Sequence, residues 1–458
     1  MGTSDNDKLK KTQIPTRQLE QDGFPSARSR DASGATPERA IALKAMFRDN
    51  RDLEAPFAEI TELCETAGAQ VVQTVAQNVH RIDAATYLGK GKIKEIAELA
   101  KELEVDLIVT DNDLSPAQER NLEKMIECTV IDRSQLIMDI FSRRASTLQA
   151  KLQVELAQLR YTFPRLKRMW THLSRYEGGI GMRGPGETQL ESDKRLIQRR
   201  INKLQRRLQE IENRKEVSLR RRRDDLVIAL VGYTNVGKST LLNRLTGSSE
   251  IAEDKLFATL DTRTRKWQVD NNRHVLLNDT VGFIRELPHH LVASFHATLA
   301  ETRQADLLFH VVDASSSEAE RQISAVEGVL HDIECDQESW LILNKWDRVS
   351  EERAVEAGRL SSRSHPDGPR FRGSAVTGAG LEDVQKAVLD HLDRHNRVWN
   401  LVLPPSRGDL LAYVQRNGNV MKQEVNGQAI HLEVEMSVPR VNKLRSMYPE
   451  GFTEEPSP

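Results

Sequence analysis

The chain has 458 residues, with 38% hydrophobic and 29% charged content. That is room for roughly three domains of about 150 residues, and the balance fits a soluble protein with several modest cores. A formal net charge of -2 gives no bulk attraction to polyanions, so any nucleic-acid surface has to come from local clustering. The scattered cysteines Cys64, Cys128 and Cys335 have no CxxC spacing, which excludes a sequence-evident zinc site and fits a reducing compartment.

Residues 1–37 mix Pro, Gly, Ser and both charge signs and are expected to form a disordered tail. They hold no hydrophobic signal core, and Asn6 breaks the myristoylation pattern that Gly2 would begin. No apolar run approaches the ~18 residues of a membrane span. A cytoplasmic protein without a membrane span is the expectation. His289-His290 lacks metal-ligand spacing and reads as a surface pair.

Residues 38–147 alternate strand and helix patterns and predict a small N-terminal α/β domain. A strand falls over Val105–Thr110, a helix starts at Ser115-Pro116, and another strand covers Thr129–Ile131. Gly89-Lys90-Gly91-Lys92 precedes a helical run, Ile93–Leu103. Glycines before a helix suit a phosphate-binding nest, and equally a tight turn or a contact with an RNA backbone.

Residues 148–223 predict an antiparallel helical hairpin. Leu148, Leu152, Leu156, Leu159, Phe163 and Leu166 form one apolar stripe, and Ile197, Ile201, Leu204, Leu208 and Ile211 another. The joining segment Gly178–Gly186 is too glycine-rich to be helical. The second helix is basic, with Lys194, Arg195, Arg199, Arg200, Lys203, Arg206 and Arg207 followed by Arg220 to Arg223. A solvated face is the bland account. The density of charge beside a glycine loop holding Arg183 favours a polyphosphate backbone.

Residues 224–397 alternate strands and helices in the manner of a parallel sheet, with strands at Leu226–Val231, His274–Asn278, Leu307–Val312 and Trp340–Leu343. Residues 398–458 predict a small α+β C-terminal domain, with a helix near Asp409–Val414 and a strand near His431–Met436. Its job is not readable from pattern.

The parallel-sheet region carries the chemistry. Gly232-Tyr233-Thr234-Asn235-Val236-Gly237-Lys238-Ser239 follows an apolar strand and opens a helix at Thr240. That is the context in which a glycine loop wraps phosphates with its N–H groups. Lys238 is expected to reach the β- and γ-phosphates and Ser239 to ligate Mg2+. Asp279-Thr280-Val281-Gly282 ends the next apolar strand. Asp279 is placed to hold the metal through water, and the Gly282 N–H to sense the γ-phosphate. Asn344-Lys345-Trp346-Asp347 follows a further strand. The Asp347 carboxylate suits guanine N1–H and its 2-amino group and would be left unpaired against adenine. Asn344 would tie this loop to the phosphate loop. Ser374-Ala375-Val376 supplies backbone to the guanine oxygen, and Thr259 is a metal and γ-phosphate sensor. In order and on strands, these signals resemble the translation-factor-related class of P-loop GTPases, which implies a P-loop GTPase domain with GTP as substrate and Mg2+ as cofactor. Lys238, Thr259 and Gly282 carry the catalytic expectation.

The residue after Gly282 is Phe283, where many small GTPases place a glutamine that orients the attacking water. A low intrinsic rate with a partner reshaping the site follows. Arg285 offers charge nearby or is an ordinary surface arginine.

Gly178-Gly-Ile-Gly-Met-Arg-Gly-Pro-Gly-Glu-Thr-Gln-Leu-Glu191, with Asp193 and Arg195, closely resembles the signature of HflX-type GTPases. Tyr161-Thr-Phe-Pro-Arg165, Trp170–Arg175, Tyr87-Leu-Gly-Lys-Gly-Lys92 and the first switch Phe257-Ala258-Thr259-Leu260-Asp261 are similar to that family, as is Phe283. Thr262 stands where the family usually has proline. The resemblance, over roughly residues 40–397, implies binding to the large ribosomal subunit and its RNA, and splitting or rescue of stalled ribosomes. It makes the 178–186 loop the RNA probe. A ribosome-assembly or RNA-binding factor with nucleotide as a structural ligand is the alternative, and a monomer is the default.

Overall fold

Seven consecutive buried residues, Ala40–Met46, dominate the first strand, β1 (Glu38–Met46). A strand covered on both faces belongs in a parallel sheet, and β1 lies inside one. It pairs in parallel with β2 (Ala69–Asn78) and β3 (Leu107–Thr110), and β3 with β4 (Thr129–Asp132), in the order β2-β1-β3-β4. In the computed structural model, described over residues 37–47, 55–166, 185–220, 225–248, 256–257, 263–270, 273–285, 301–366, 368–427, 429–448 and 455–456, the chain falls into two units, Met1–Arg207 and Leu208–Pro458. Of the expected tail, residues 1–37, all but the last lie outside the described residues, as do His289 and His290.

In the first unit, α1 (Ala58–Ala67), α2 (Lys90–Glu102), α3 (Pro116–Ile126) and α4 (Arg133–Arg144) accompany the sheet. Its core holds Ile41, Leu43, Tyr87, Ile93, Ile96 and Leu122. Ser115 and Asp132 cap α3 and α4 through capping boxes with Gln118 and Gln135, which fixes both helix starts. A buried ionic chain joins Lys44 to Asp111 at 2.5 Å and Asp111 to Arg133 at 2.6 Å, and Arg133 continues to Glu59. Each charge meets an opposite one, the condition for burying them at all.

The hairpin follows as α5 (Leu148–Thr162) and α6 (Pro185–Arg220). Leu152, Leu156, Leu159 and Leu166 are buried as expected, and so are Ile197, Ile201, Leu204 and Leu208. Leu148 is not, at 54% exposed: it is the first residue of α5, next to the Thr147 cap. Pro185 and Gly186 are helical, contrary to expectation, because proline at a helix start has no N–H bond to forfeit. Residues 178–184 lie outside the described residues.

Two ties fix the part of the hairpin that lies in the first unit. Arg200 Nε donates to Glu155 Oε1 at 2.6 Å, joining the helices. At the end of α5, the Tyr161 hydroxyl donates to Asp132 Oδ2 at 2.7 Å. The Arg165 guanidinium lies 3.4 Å from the Tyr161 ring centre and donates to the Leu114 carbonyl, Glu119 and Asp132.

The second unit contains the sheet β10-β9-β8-β5-β7-β6. Its strands are β5 (Val227–Gly232), β6 (Arg263–Gln268), β7 (His274–Asp279), β8 (Leu307–Asp313), β9 (Ser339–Asn344) and β10 (Arg370–Arg372). All pairs are parallel except β6 with β7. Helices α7 (Lys238–Thr246), α8 (Ala319–Asp332), α9 (Glu351–Ser364) and α10 (Leu381–His395) complete the α/β layers. The loops leaving β5, β7, β8 and β9 therefore emerge at one edge, the carboxyl ends of the strands, where open α/β sheets bind ligands.

A third, antiparallel sheet is ordered β12-β13-β11-β14, from β11 (Asn396–Leu403), β12 (Asn419–Asn426), β13 (Ala429–Ser437) and β14 (Glu455–Pro456). With α11 (Gly408–Asn417) and α12 (Val438–Met447) it encloses Trp399, Leu401, Leu432, Val434 and Leu444. Its first strand starts at the residue after α10 ends, and Arg440 Nη2 donates to Asp225 Oδ1 at 2.9 Å just before β5. No helix among the described residues is long and apolar enough to cross a membrane.

Candidate nucleotide site

Strand β5 is buried from Ile228 to its end and delivers the chain to Gly232. Two glycines make the following loop possible. Gly232 has φ +150°, and a Cβ there would lie 2.3 Å from the Val311 carbonyl oxygen. Gly237 has φ +93°, and its Cβ would lie 2.4 Å from Asn344 Nδ2. Both are left-handed backbone in contact with neighbouring strands, so a side chain fails on strain and on space. Asn235 also takes a left-handed φ of 60°, which asparagine tolerates.

Lys238, at the start of α7, is buried, and its Nζ donates to the carbonyls of Gly232 at 3.0 Å and Tyr233 at 2.6 Å. Burial pushes its pKa down to about 8, with the Asp279 carboxylate opposing. The ammonium thus keeps its charge at neutral pH while aimed along the loop. Ser239 Oγ donates to Asp279 Oδ2 at 2.7 Å, so the phosphate loop and the end of β7 meet through a hydroxyl and a buried carboxylate. Thr280 Oγ1 donates to the Leu230 carbonyl at 2.7 Å and holds that strand end in place.

The Gly282 segment lies directly on the phosphate loop. A Cβ at Gly282 would lie 2.8 Å from Thr234 Cγ2 and 3.0 Å from Lys238 Nζ. The Thr234 N–H donates to the Phe283 carbonyl at 2.7 Å, the Phe283 N–H to the Gly232 carbonyl at 3.1 Å, and the Arg285 N–H to the Tyr233 hydroxyl at 2.8 Å. Phe283 is 2% exposed, a core residue. The Arg285 guanidinium lies 3.6 Å from Glu318, an ion pair at the surface side of the segment.

The phosphate loop, the end of β9 and the Ser374–Val376 loop are joined by one buried amide. Asn344 Nδ2 donates to the Val236 carbonyl at 2.8 Å, and its Oδ1 accepts from the Ala375 N–H at 2.9 Å. Lys345, at φ 57°, donates to the Asn235 carbonyl at 2.7 Å and pairs with Asp313 at 2.8 Å. Asp347 is exposed in the 3-10 turn Trp346–Arg348, Ser374 and Ala375 are buried, and Val376 is 65% exposed.

The geometry therefore brings together Gly232–Thr240, Asp279–Gly282, Asn344, Lys345, Asp347 and Ser374–Val376. Phe257 is buried with φ 54°, whereas Ala258, Thr259 and Leu260 lie outside the described residues. Sequence reasoning missed the Tyr233 hydroxyl contact and the Asp313–Lys345 pair. Neither has a spacing signal, since each joins separate strands.

Of the basic residues on α6, Lys194 is half-buried and Arg195, Arg199 and Arg200 are exposed. Arg200 is also the tie to Glu155, and Arg183 lies outside the described residues. Gly89 caps α2, and its N–H already donates to Gln77 Oε1 at 2.9 Å.

A glycine-wrapped lysine loop, a DxxG segment on top of it and an asparagine bridging to a base loop, all at the carboxyl edge of one sheet, define a P-loop GTPase domain. Residues 54–142, 144–223 and 227–345 match the family models described as GTP-binding GTPase N-terminal, GTP-binding GTPase Middle Region and 50S ribosome-binding GTPase. The GTPase HflX of Escherichia coli (strain K12) is 42% identical over 406 residues, 88% of this chain and 94% of that protein. That of Magnetococcus marinus is 41% identical over 415 residues, 89% and 95% respectively. The chain belongs to the HflX family of GTPases, and its reaction is the hydrolysis of GTP to GDP and phosphate. Among solved structures, a GTP-binding protein from Sulfolobus solfataricus in complex with GDP is 24% identical, covering 77% of this chain and 98% of its own, with a TM-score of 0.43.

Proposed function

We propose that this chain is a GTP-driven switch that binds the large ribosomal subunit and splits or rescues stalled ribosomes. The observation that carries the reading is the exposed basic row Arg195, Arg199, Arg200, Lys203, Arg206 and Arg207 on one helix of a chain with a net charge near zero. Such a row attracts a phosphate backbone by releasing its counterions. The match of residues 227–345 to a 50S ribosome-binding GTPase model supports the same partner. In this reading the 178–186 loop, with Arg183, probes ribosomal RNA, and Lys194, Arg195, Arg199 and Arg200 hold the backbone.

At the nucleotide, the N–H groups of residues 233–240 cradle the phosphates, and Lys238 neutralises charge between the β- and γ-phosphates. Ser239 and Asp279 fit a hard cation, being oxygen donors already 2.7 Å apart. Bound there with Thr259, Mg2+ would stabilise charge on the phosphate oxygens. The Gly282 N–H and Thr259 sense the γ-phosphate and reorder on its loss. Asp347 reads the guanine N1–H and 2-amino group, and the backbone of 374–376 meets its oxygen. The GTP form fits the subunit, the subunit orders the attacking water, and the GDP form lets go. This requires the ribosome to distinguish the two forms.

The test is GTP hydrolysis with and without purified large subunits, for wild type and Asp347→Asn. Stimulation in the wild type, lost with GTP in the variant, is expected. An unstimulated wild type overturns the ribosome-activated mechanism and favours an assembly factor.

A further inference from the structure

We infer that Arg244 is a positioning residue for guanine recognition: from the phosphate-binding helix it clamps the loop that meets the base. The inference rests on the proposed assignment of 374–376 as that loop. Arg244 lies in the last turn of α7, and its Nη2 donates to the Thr377 carbonyl at 2.9 Å. Beside that bond is Gly378, with φ +86°. A Cβ on Gly378 would lie 2.4 Å from Arg244 Nη2, 2.9 Å from Nε and 3.0 Å from Cζ. The guanidinium thus occupies the space a side chain at 378 would need, and the turn conformation there is one that glycine adopts freely.

The loop is internally stiff. Ser374 N–H donates to the Ala379 carbonyl at 3.0 Å, Gly378 N–H to the Ser374 carbonyl at 2.8 Å, and Thr377 N–H to Ser374 Oγ at 3.1 Å. A closed turn moves as a piece, so its position depends on what grips it from outside. One side-chain grip is Asn344, which accepts from the Ala375 N–H at its inner arm. Arg244 grips the outer arm. Because Arg244 stands two turns along the helix that begins with Lys238, the clamp sets the span between the phosphate end and the base end of the nucleotide. A charge-assisted bond to a carbonyl is stronger than a neutral one, and the fork geometry fixes direction as well as distance. Removing it leaves the phosphate contacts intact and loosens the oxygen end of guanine, while Asp347, on a different loop, still holds the amino edge.

The test uses the full chain and measures dissociation constants for GDP, inosine diphosphate and ADP by competition with a fluorescent GDP. Inosine diphosphate keeps the 6-oxygen but lacks the 2-amino group that Asp347 reads. Arg244→Ala is expected to weaken GDP and inosine diphosphate alike, by about tenfold, a loss in the range of one hydrogen bond to a charged group. ADP binding should not move, so guanine selectivity falls by the same factor. Arg244→Lys, which keeps a donor but not the flat fork, should recover part of it and covers the case of a poorly folded alanine variant. Equal losses for GDP and ADP, or no loss for GDP, overturn the role of Arg244. Asp347→Asn is measured in parallel. If it leaves guanine preference intact, the base-site assignment itself fails. If it abolishes preference while Arg244→Ala does not, only the clamp fails.

Discussion

Asn344 and Val236 are joined by a 2.8 Å bond from a buried side-chain amide to a phosphate-loop carbonyl, so the end of β9 and the turn before Lys238 are one mechanical piece. The same amide accepts from Ala375, so the phosphate loop, the end of β9 and the 374–376 loop meet on a single residue. Asn344→Ala strands a buried carbonyl and a buried N–H at once. Each stranded group costs about 1–3 kcal/mol, so GDP affinity should fall by roughly thirtyfold or more. Calorimetric titration with GDP checks this, and a loss below about threefold would sink the bridging role.

Phe283 is a tempting place to restore the glutamine of small GTPases. Its ring is 2% exposed, and both its backbone N–H and its carbonyl are taken by the phosphate loop. Phe283→Gln exchanges a core ring for a buried amide and should cost about 2–4 kcal/mol of stability. Intrinsic GTP hydrolysis should not rise. Thermal melts and single-turnover hydrolysis read the two effects separately, and a rate gain above about tenfold would overturn the view of Phe283 as a core residue.

His310, in the middle of β8, is buried, and neither ring nitrogen has a hydrogen-bond partner among the described residues. Burial, reinforced by His365 and Lys238, pushes its pKa from 6.5 down to about 3. In the window between those values the unfolded chain takes up a proton that the folded chain refuses. Stability therefore falls as pH drops below 6.5 and is untouched by this group above it. The slope is about 1.4 kcal/mol per pH unit for one such group. His310→Leu should remove that slope and add about 1 kcal/mol at pH 7, since an apolar side chain of similar size leaves no stranded nitrogen. Denaturant melts at pH 7 and pH 5 test it. Equal losses for wild type and variant would mean that the acid sensitivity arises elsewhere.

The anchor at the end of α5 predicts a local effect. Burial pushes the Asp132 pKa up to about 6 despite the N–H groups of Gln135 and Leu114 and the Tyr161 hydroxyl that favour its charge. Tyr161→Phe removes a donor from this carboxylate, and Arg165→Ala removes bonds to Leu114, Glu119 and Asp132 together. Amide exchange in the last turns of α5 should quicken by about tenfold for Tyr161→Phe, one hydrogen bond's worth, and by more for Arg165→Ala. Unchanged exchange in both would show that the anchor contributes nothing.

The chemistry was legible because it has to be written locally. A loop that turns this tightly needs Gly232 and Gly237 at fixed steps from Lys238, and the proposed base reader Asp347 follows Asn344 by three residues. The parallel strands β3, β5, β8 and β9 were legible as short apolar runs. Strand β1 was not, because Ala40, Ala42, Leu43, Ala45 and Met46 are residues that also favour helices, and only the flanking strands decide the matter. Strand β6 is a mostly exposed sheet edge with one buried residue, Trp267, so its pattern is polar. In the C-terminal sheet, β12 is exposed over most of its length and α12 is short, and neither has a periodic signal of its own. What joins the motifs, such as Lys345 to Asp313 or Arg285 to Tyr233, is tertiary and carries no spacing to read.

Helix α10 passes into β11 with no residue between them, and Asp225, just ahead of β5, is held by both Arg440 of α12 and His274 of β7. A pendant module hangs from a flexible tether and leaves its host unaffected when it moves. This one is spliced to the host at the end of its last helix and pinned again at the threshold of its first strand. The terminal sheet and the strand that carries the phosphate loop are therefore tied at two separate points, so neither is free to swing about a single joint.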